Sequence, residues 1–175
     1  MLGVPCIAVL ALIGEAAGIG GSQVLVGAGM GLGVGLMQTR ALKDLLPRPR
    51  AWLLPSVLGL ALPFGVFDAL KLMGRELPFS LFLSVAVGGV IVGVWQAALL
   101  RPKTGPAPAW IAASALGWSL AALAAQASDW LTRTRRIPGL TGALIYLATV
   151  AVGGLVLGLV TGPVIVRLRS KVTAS

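Results

Sequence analysis

The residues Gly31, Gly35, Gln38, Trp52, Ser56 and Gly59 return in the same order 58 positions later as Gly89, Gly93, Gln96, Trp110, Ser114 and Gly117. A partial third copy, Gly154, Gly158 and Thr161, keeps the glycine spacing and puts threonine where the first two have glutamine. A repeat of that length made of apolar residues reads as a duplicated helical hairpin. The fold expected from it is an all-α membrane protein of about six transmembrane helices, pseudo-threefold in register and forming a single domain.

Composition narrows the class further. Hydrophobic residues make up 57% of the 175 and charged residues only 11%, against roughly 25% charged in a soluble domain. Mean hydropathy is +0.96. The chain has no histidine and one cysteine, Cys6. It therefore has no disulfide of its own, no cysteine-rich metal site and no histidine for acid–base work or haem ligation. Nothing in the sequence calls for a cofactor or a metal. The net charge of +9 could suggest nucleic acid as a partner, but the basic residues sit in short clusters between apolar runs. Placed so, they are topology signals and contacts for anionic headgroups of the lipid bilayer, and no nucleic-acid partner is expected.

Six apolar spans can be drawn, at about 4–20, 22–38, 51–70, 78–100, 109–127 and 140–166, each near the ~20 residues a bilayer core requires. The first two could be one helix, but residues 3–38 would then run to ~54 Å at ~1.5 Å per residue, well beyond the hydrocarbon thickness. The run Gly18-Ile19-Gly20-Gly21-Ser22 offers a tight turn between them, with Ser22 as N-cap. Five spans, or a broken first helix, is the alternative division. The start lacks a basic region and a nearby small-residue cleavage site, so it reads as a retained helix and not a signal peptide.

Lys and Arg give the orientation. With both termini inside, the inner segments hold nine of them: Arg40, Lys43, Arg48, Arg50, Arg101, Lys103, Arg167, Arg169 and Lys171. The outer segments hold five, Lys71, Arg75, Arg133, Arg135 and Arg136. That bias favours N-in and C-in in a bacterial inner membrane. Trp52, Trp95 and Trp110 then fall at inner ends and Trp130 at an outer end, where amphipathic rings settle. Trp118 falls near mid-span and is expected to pack between helices.

Glycine spacing indicates which surfaces meet. Gly27, Gly31 and Gly35 are four apart on the second span, Gly89, Gly93 and Ala97 on the fourth, and Gly154, Gly158 and Gly162 on the last. Small residues at that spacing line one face and let backbones approach closely. The even-numbered helices are therefore expected to touch one another through these stripes, with the odd-numbered helices packed around them. Replacing Gly35 or Gly93 with leucine should weaken folding more than replacing a lipid-facing leucine. Gly29 and Gly33 put small residues on a second face of the second helix.

Three polar residues inside the apolar spans are site candidates. Gln38 and Gln96 end the first two stripes, and their amides can bond a neighbouring helix or each other for roughly 0.6 to 2 kcal/mol; the other reading is a solute-binding pair. Glu15 has no polar counterpart in the repeat. If Gly14 matches Gly59 and Gly117, it lies roughly 12 Å from the inner edge at the helical rise, where an ionisable group is costly and marks a functional candidate. It is expected to face protein interior or a polar cavity, with Ser84 or Thr149 as partners. The bland reading is a hydrogen-bonded carboxyl between helices, and the functional one a proton- or cation-linked role.

Other polar features read as surface. Asp68 and Lys71 are three apart on the third helix and could pair, forming a headgroup-level cluster with Arg75 and Glu76. Residues 39–46 form an amphipathic extension of helix two, stopped by Pro47 and Pro49, while Pro102, Pro106 and Pro108 break the equivalent loop. No catalytic motif is found. Ser/His and Cys/His pairs are impossible without histidine, Asp68 and Asp129 lack the residues that flank an aspartyl dyad, and the glycines are at helical spacing and follow no strand.

At Gly-x-x-Gln, the basic loop and Trp-x-x-x-Ser-x-x-Gly, the chain resembles a loose group of glycine-rich bacterial multi-pass membrane proteins with repeated Gln-bearing helical hairpins. The resemblance spans about residues 27–165 and implies topology only, because the group has no assigned activity. Three hairpins also resemble mitochondrial carriers, whose Pro-x-Asp/Glu-x-x-Lys/Arg motifs are missing here. Six-helix substrate-binding subunits of vitamin transporters match in size and span count but share no motif. Two function classes follow: a non-catalytic packing or accessory subunit of a larger membrane assembly, with other membrane subunits or itself as partner, or a small transporter, channel or substrate-capture subunit using an intramembrane polar site.

Overall fold

The computed structural model describes residues 3–18, 22–43, 48–75, 77–105, 107–134 and 139–173. Of the features above, positions 19–21, 44–47, 76, 106, 135 and 136 lie outside the described residues. Among those described there is no strand, and six α-helices follow one another: α1 (Gly3–Ala16), α2 (Gln23–Ala41), α3 (Leu53–Leu72), α4 (Ser80–Thr104), α5 (Pro108–Thr134) and α6 (Gly139–Thr173). A short 3-10 turn, Pro49–Trp52, leads into α3. Four of the helices, α3 to α6, are long and apolar enough to cross a membrane. In α2 the glycines and the polar ends dilute the hydropathy, and α1 is short.

Each helix packs against the next in sequence, and α4 and α6 also touch lightly. This is the antiparallel up-and-down order that short connections favour. The break between the first two helices falls where the glycines are: α1 ends at Ala16 and Gly18 takes φ +74°, a left-handed backbone that glycine adopts at no steric cost. The first helix is thus shorter than the 4–20 span drawn for it. Proline behaves differently from expectation in the second long loop. Pro102 lies inside α4, which continues to Thr104 and stops at Gly105 with φ +68°. Pro108 opens α5, the helix position where a missing N–H costs nothing.

The expectation that helices two, four and six touch through their glycine stripes is overturned. The stripes of α2 and α4 face the helix that follows each of them. A Cβ built on Gly27 would meet Phe64 and Leu60, one on Gly31 would meet Ser56 and Val57, and one on Gly35 would meet Ser56 and Leu53. In α4, Gly89 faces Trp118, and Gly93 faces Ser114 and Ile111. Nothing lies within 4 Å of the Cβ positions of Gly154, Gly158 and Gly162 on α6. The physical reason is chain connectivity: the antiparallel neighbour joined by a short loop reaches a shallow glycine groove before any distant helix can. The second small face of α2 is also used, since Gly29 sits against Ile7 of α1.

The even-numbered helices do converge, but through larger side chains at the basic end of the bundle. Leu42, just past α2, Leu100 of α4 and Leu168 of α6 are buried in one cluster with Trp52, Ala97, Ala107 and Trp110. A second cluster, nearer mid-bundle, joins Leu60, Phe64, Val85, Val92, Trp118, Ala122 and Leu157, with Met30 and Val34 of α2 packed on it. Arg169 closes the basic end by donating from Nη2 to the Ala41 carbonyl at the end of α2. A cation at a helix C-terminus offsets the unpaired carbonyls and the negative end of the dipole.

Candidate functional site: a glutamine–tryptophan ladder

Gln38 and Gln96 meet inside the bundle. Gln96 Nε2 lies 3.3 Å from Gln38 Oε1 and donates at 2.9 Å to Ser56 Oγ. Each glutamine carbonyl also accepts an indole N–H from the helix after it. Trp52 Nε1 donates to Gln38 Oε1 at 3.0 Å, and Trp110 Nε1 donates to Gln96 Oε1 at 3.1 Å. The two bonds are the same contact made at the same separation along the chain. The indoles themselves stack edge to face, with centroids 5.5 Å apart at 62°, an arrangement the ring quadrupoles favour.

Local structure explains the placement. The glycines of α2 and α4 remove the Cβ atoms from their own side of the α2–α3 and α4–α5 contacts, so the helix axes come close enough for a tryptophan at the start of one to reach a glutamine near the end of the other. Ser56 and Ser114 fill the gap left beside Gly35 and Gly93. Their hydroxyls are satisfied on backbone carbonyls, Ser56 on Trp52 and Ser114 on Gly89. Gln96 is fully buried and Gln38 partly so. In the third copy the glutamine position is Thr161, also buried, and its hydroxyl donates to Leu157 O one turn back. The ladder therefore ends at α4.

Trp52 and Trp110 lie at helix starts, as expected of them, but both are fully buried, so the expectation that their rings settle among headgroups is corrected. An indole needs the headgroup region only for its N–H, and here a glutamine carbonyl supplies that acceptor. Trp130 is exposed, and Trp118 is buried against Gly89 between helices.

Glu15 is exposed, one residue before the end of α1, so the expectation that it faces protein interior or a polar cavity is corrected as well. Ser84 is buried without a hydrogen-bond partner among the described residues, and Thr149 donates to Ile145 O; neither serves Glu15. The error lay in aligning Gly14 with Gly59. Ile7 contacts Gly29, whereas Leu60 contacts Gly27 and Ser56 contacts Gly31, so Ile7 lies between those levels of α3 and Glu15 falls far toward the end of the bundle opposite the basic cluster.

Asp68 does more than a surface cluster requires. Its Oδ2 accepts from Ser22 Oγ at 2.9 Å and from Val24 N at 3.0 Å. Ser22 occupies the N-cap position of α2 but makes no side-chain cap of its own; a carboxylate from α3 does it. An acidic group at a helix N-terminus satisfies a free N–H and complements the dipole. Asp68→Ala should lower stability by about 1 kcal/mol, within the usual range of a lost cap. Thermal unfolding in mild detergent would show this, with Asp68→Asn falling between the two. An Asp68→Ala protein as stable as wild type would mean the bond contributes nothing. Sequence reasoning missed this role because the two partners are 44 and 46 residues apart.

Comparison with protein-family models, with curated proteins and with solved structures finds no match to the chain.

Proposed function

We propose that the chain is a non-catalytic integral membrane protein that serves as a packing or accessory subunit of a larger membrane assembly. The carrying observation is that its two intramembrane glutamines are engaged with each other, with two tryptophans and with Ser56. Both amide oxygens and Gln96 Nε2 go into holding four helices in register, which supports a packing role for the pair over a solute site. The repeated hairpin supports six membrane crossings, with the three even helices in equivalent, pseudo-threefold positions. The Lys and Arg excess at the end carrying Arg40, Arg101 and Arg167 supports N-in, C-in insertion in a bacterial inner membrane. Those residues would rest on anionic headgroups. The resemblance to glycine-rich multi-pass proteins with Gln-bearing hairpins supports the same topology.

The alternative is a small transporter, channel or substrate-capture subunit. The observation in its favour is Glu15, an acidic side chain on an otherwise apolar helix. The two readings separate in one experiment. Complexes extracted from native membranes in mild detergent should have a mass well above one chain by native mass spectrometry. A one-chain particle that carries saturable flux in liposomes, lost in Glu15→Gln with expression intact, would overturn the packing reading.

A further inference from the structure

The turn between α3 and α4, at the end of the bundle opposite the basic cluster, carries large apolar side chains that the molecule does not bury. Leu72, Met73 and Phe79 are 89%, 69% and 66% exposed, and Leu77 is exposed beside them. The turn between α4 and α5 behaves in the opposite way, since its Ala107 is buried in the cluster of Trp52 and Trp110. The backbone leading into the exposed turn satisfies itself. Gly74 takes φ +73°, its N–H donates to Lys71 O at 3.0 Å, and Arg75 N donates to Leu70 O at 2.9 Å. That double closure pairs the last carbonyls of a helix without help from water. On the far side Phe79 precedes α4 in left-handed backbone, with φ 57° and ψ 30°, and its carbonyl accepts from Leu83 N at 3.0 Å. A bulky residue adopts that conformation only at a steric cost. Burial within the chain does not offset the cost, because the ring stands outside it.

Two helices independently set the depth of this turn. Leu100 and Trp52 share one buried cluster, so their near neighbours Arg101 and Arg50 stand at one level of the basic end. From Arg50 to Leu72 the chain climbs about 33 Å, and from Arg101 back to Ser80 about 32 Å, at ~1.5 Å per residue. The hydrocarbon core is ~30 Å thick. With the arginines in one headgroup layer, Leu72 and Ser80 both emerge at the other, just past the hydrocarbon edge. Helix tilt shortens the projected rise and draws the turn deeper. Lipid therefore meets its apolar side chains. The exposed cations Lys71 and Arg75 lie alongside, and this mixture of apolar and cationic groups matches a layer with acyl chains on one side and phosphates on the other.

We infer that the α3–α4 turn is an interfacial anchor, with Met73, Leu77 and Phe79 inserted at the boundary between headgroups and acyl chains. Insertion of the Phe79 ring offsets the strained backbone that holds it outward. The inference rests on α3 and α4 crossing the membrane and not on whether the chain packs or transports. The test uses the full chain in a Cys6→Ser background, reconstituted in phosphatidylcholine vesicles. A thiol-linked fluorophore is placed at Met73→Cys, at Phe79→Cys or at Val90→Cys, an exposed position midway along α4. Labels at 73 and 79 should be quenched at least about twofold more by lipid nitroxides near the ester linkage than by nitroxides at the chain end, as fits burial ~5–10 Å into the interface. Aqueous iodide should quench them weakly. The label at 90 should show the reverse depth preference.

Four outcomes overturn the proposal. Strong iodide quenching at 73 and 79 without nitroxide quenching would put the turn in water. Shielding of both labels from iodide and from nitroxides alike would mean that a protein surface covers the turn. Quenching at 79 that favours the chain-end nitroxide as strongly as at 90 would sink the turn into the hydrocarbon core. In these three cases a label at 90 that still reports the bilayer centre leaves the membrane crossing standing. A label at 90 untouched by either nitroxide would remove the crossing itself, and the anchor with it.

Discussion

Gly31→Leu should leave almost no folded protein, whereas Gly154→Leu should fold as a single chain like wild type. Both glycines occupy the same place in the repeated stripe, so intrinsic helix propensity and hydrophobicity change equally at the two sites. What differs is the neighbour. A Cβ at Gly31 would lie 2.1 Å from Ser56 O, 2.7 Å from Ser56 C and 2.8 Å from Val57 Cα. All three are backbone atoms, so no rotamer change relieves the clash and α2 and α3 must separate. Overpacking typically costs about 1–3 kcal/mol when side chains can move; a rigid backbone contact puts the cost at or above the top of that range. Separation also lengthens the bonds among Gln38, Trp52 and Ser56. Even Gly31→Ala carries the offending atom and should lower stability clearly. Gly35→Ala should be milder, because its nearest atoms are Ser56 Cβ and Oγ, at the end of a short side chain. Unfolding titrations in mixed micelles rank these variants, and equal stability for Gly31→Leu and Gly154→Leu would sink the argument.

That contrast also separates what could be read from the residues from what could not. Helix number, rough boundaries and the glycine break at Gly18 follow from hydropathy, length and backbone freedom, which are local properties. The spacing of Gly31, Gly35 and Gln38 marks a packing face, and the Gln38–Gln96 contact follows from two equivalent polar groups at equal depth. The identity of the helix on each face is a tertiary property. A stripe of glycines specifies close approach but carries no address, so the inner ring of even helices was a wrong assignment, while Trp-x-x-x-Ser-x-x-Gly already contained the correct partner. Trp52 and Trp110 were misplaced for a related reason. A tryptophan near a helix end is a membrane anchor or a buried donor according to whether an acceptor lies across the groove, and 14 residues of separation in sequence gave no sign of it. Glu15 failed through register: one matching glycine, Gly14, was given the weight of an alignment, although α1 shares no other residue of the motif.

Gln96→Leu should destabilise the protein by about 2–3 kcal/mol, and most of that loss should be recoverable by a second change. Gln96 is fully buried, and its amide holds three partners: Trp110 Nε1, Gln38 Oε1 and Ser56 Oγ. Interhelical hydrogen bonds in membranes average only about 0.6 kcal/mol each, with a maximum near 1.7, so the bonds alone would not make the variant severe. The partners left behind decide the magnitude. Ser56 keeps its bond to Trp52 O, and Gln38 Oε1 keeps the indole of Trp52. Trp110 has no second acceptor, and its buried N–H is left without a partner, a penalty of about 1–3 kcal/mol. Trp110→Phe removes that donor while keeping most of the ring. The double variant Gln96→Leu, Trp110→Phe should therefore be more stable than Gln96→Leu alone, with a coupling energy of about 1–2 kcal/mol. Strict additivity would show that the Gln96–Trp110 bond does not hold the fold. Gln38→Leu gives the matched case, since it strands Trp52 in the same way, and it should be rescued by Trp52→Phe and not by Trp110→Phe. Because each rescue is read as folding free energy, a protein that uses these glutamines to bind a solute would separate itself here: the paired variants would regain stability and still lose the solute.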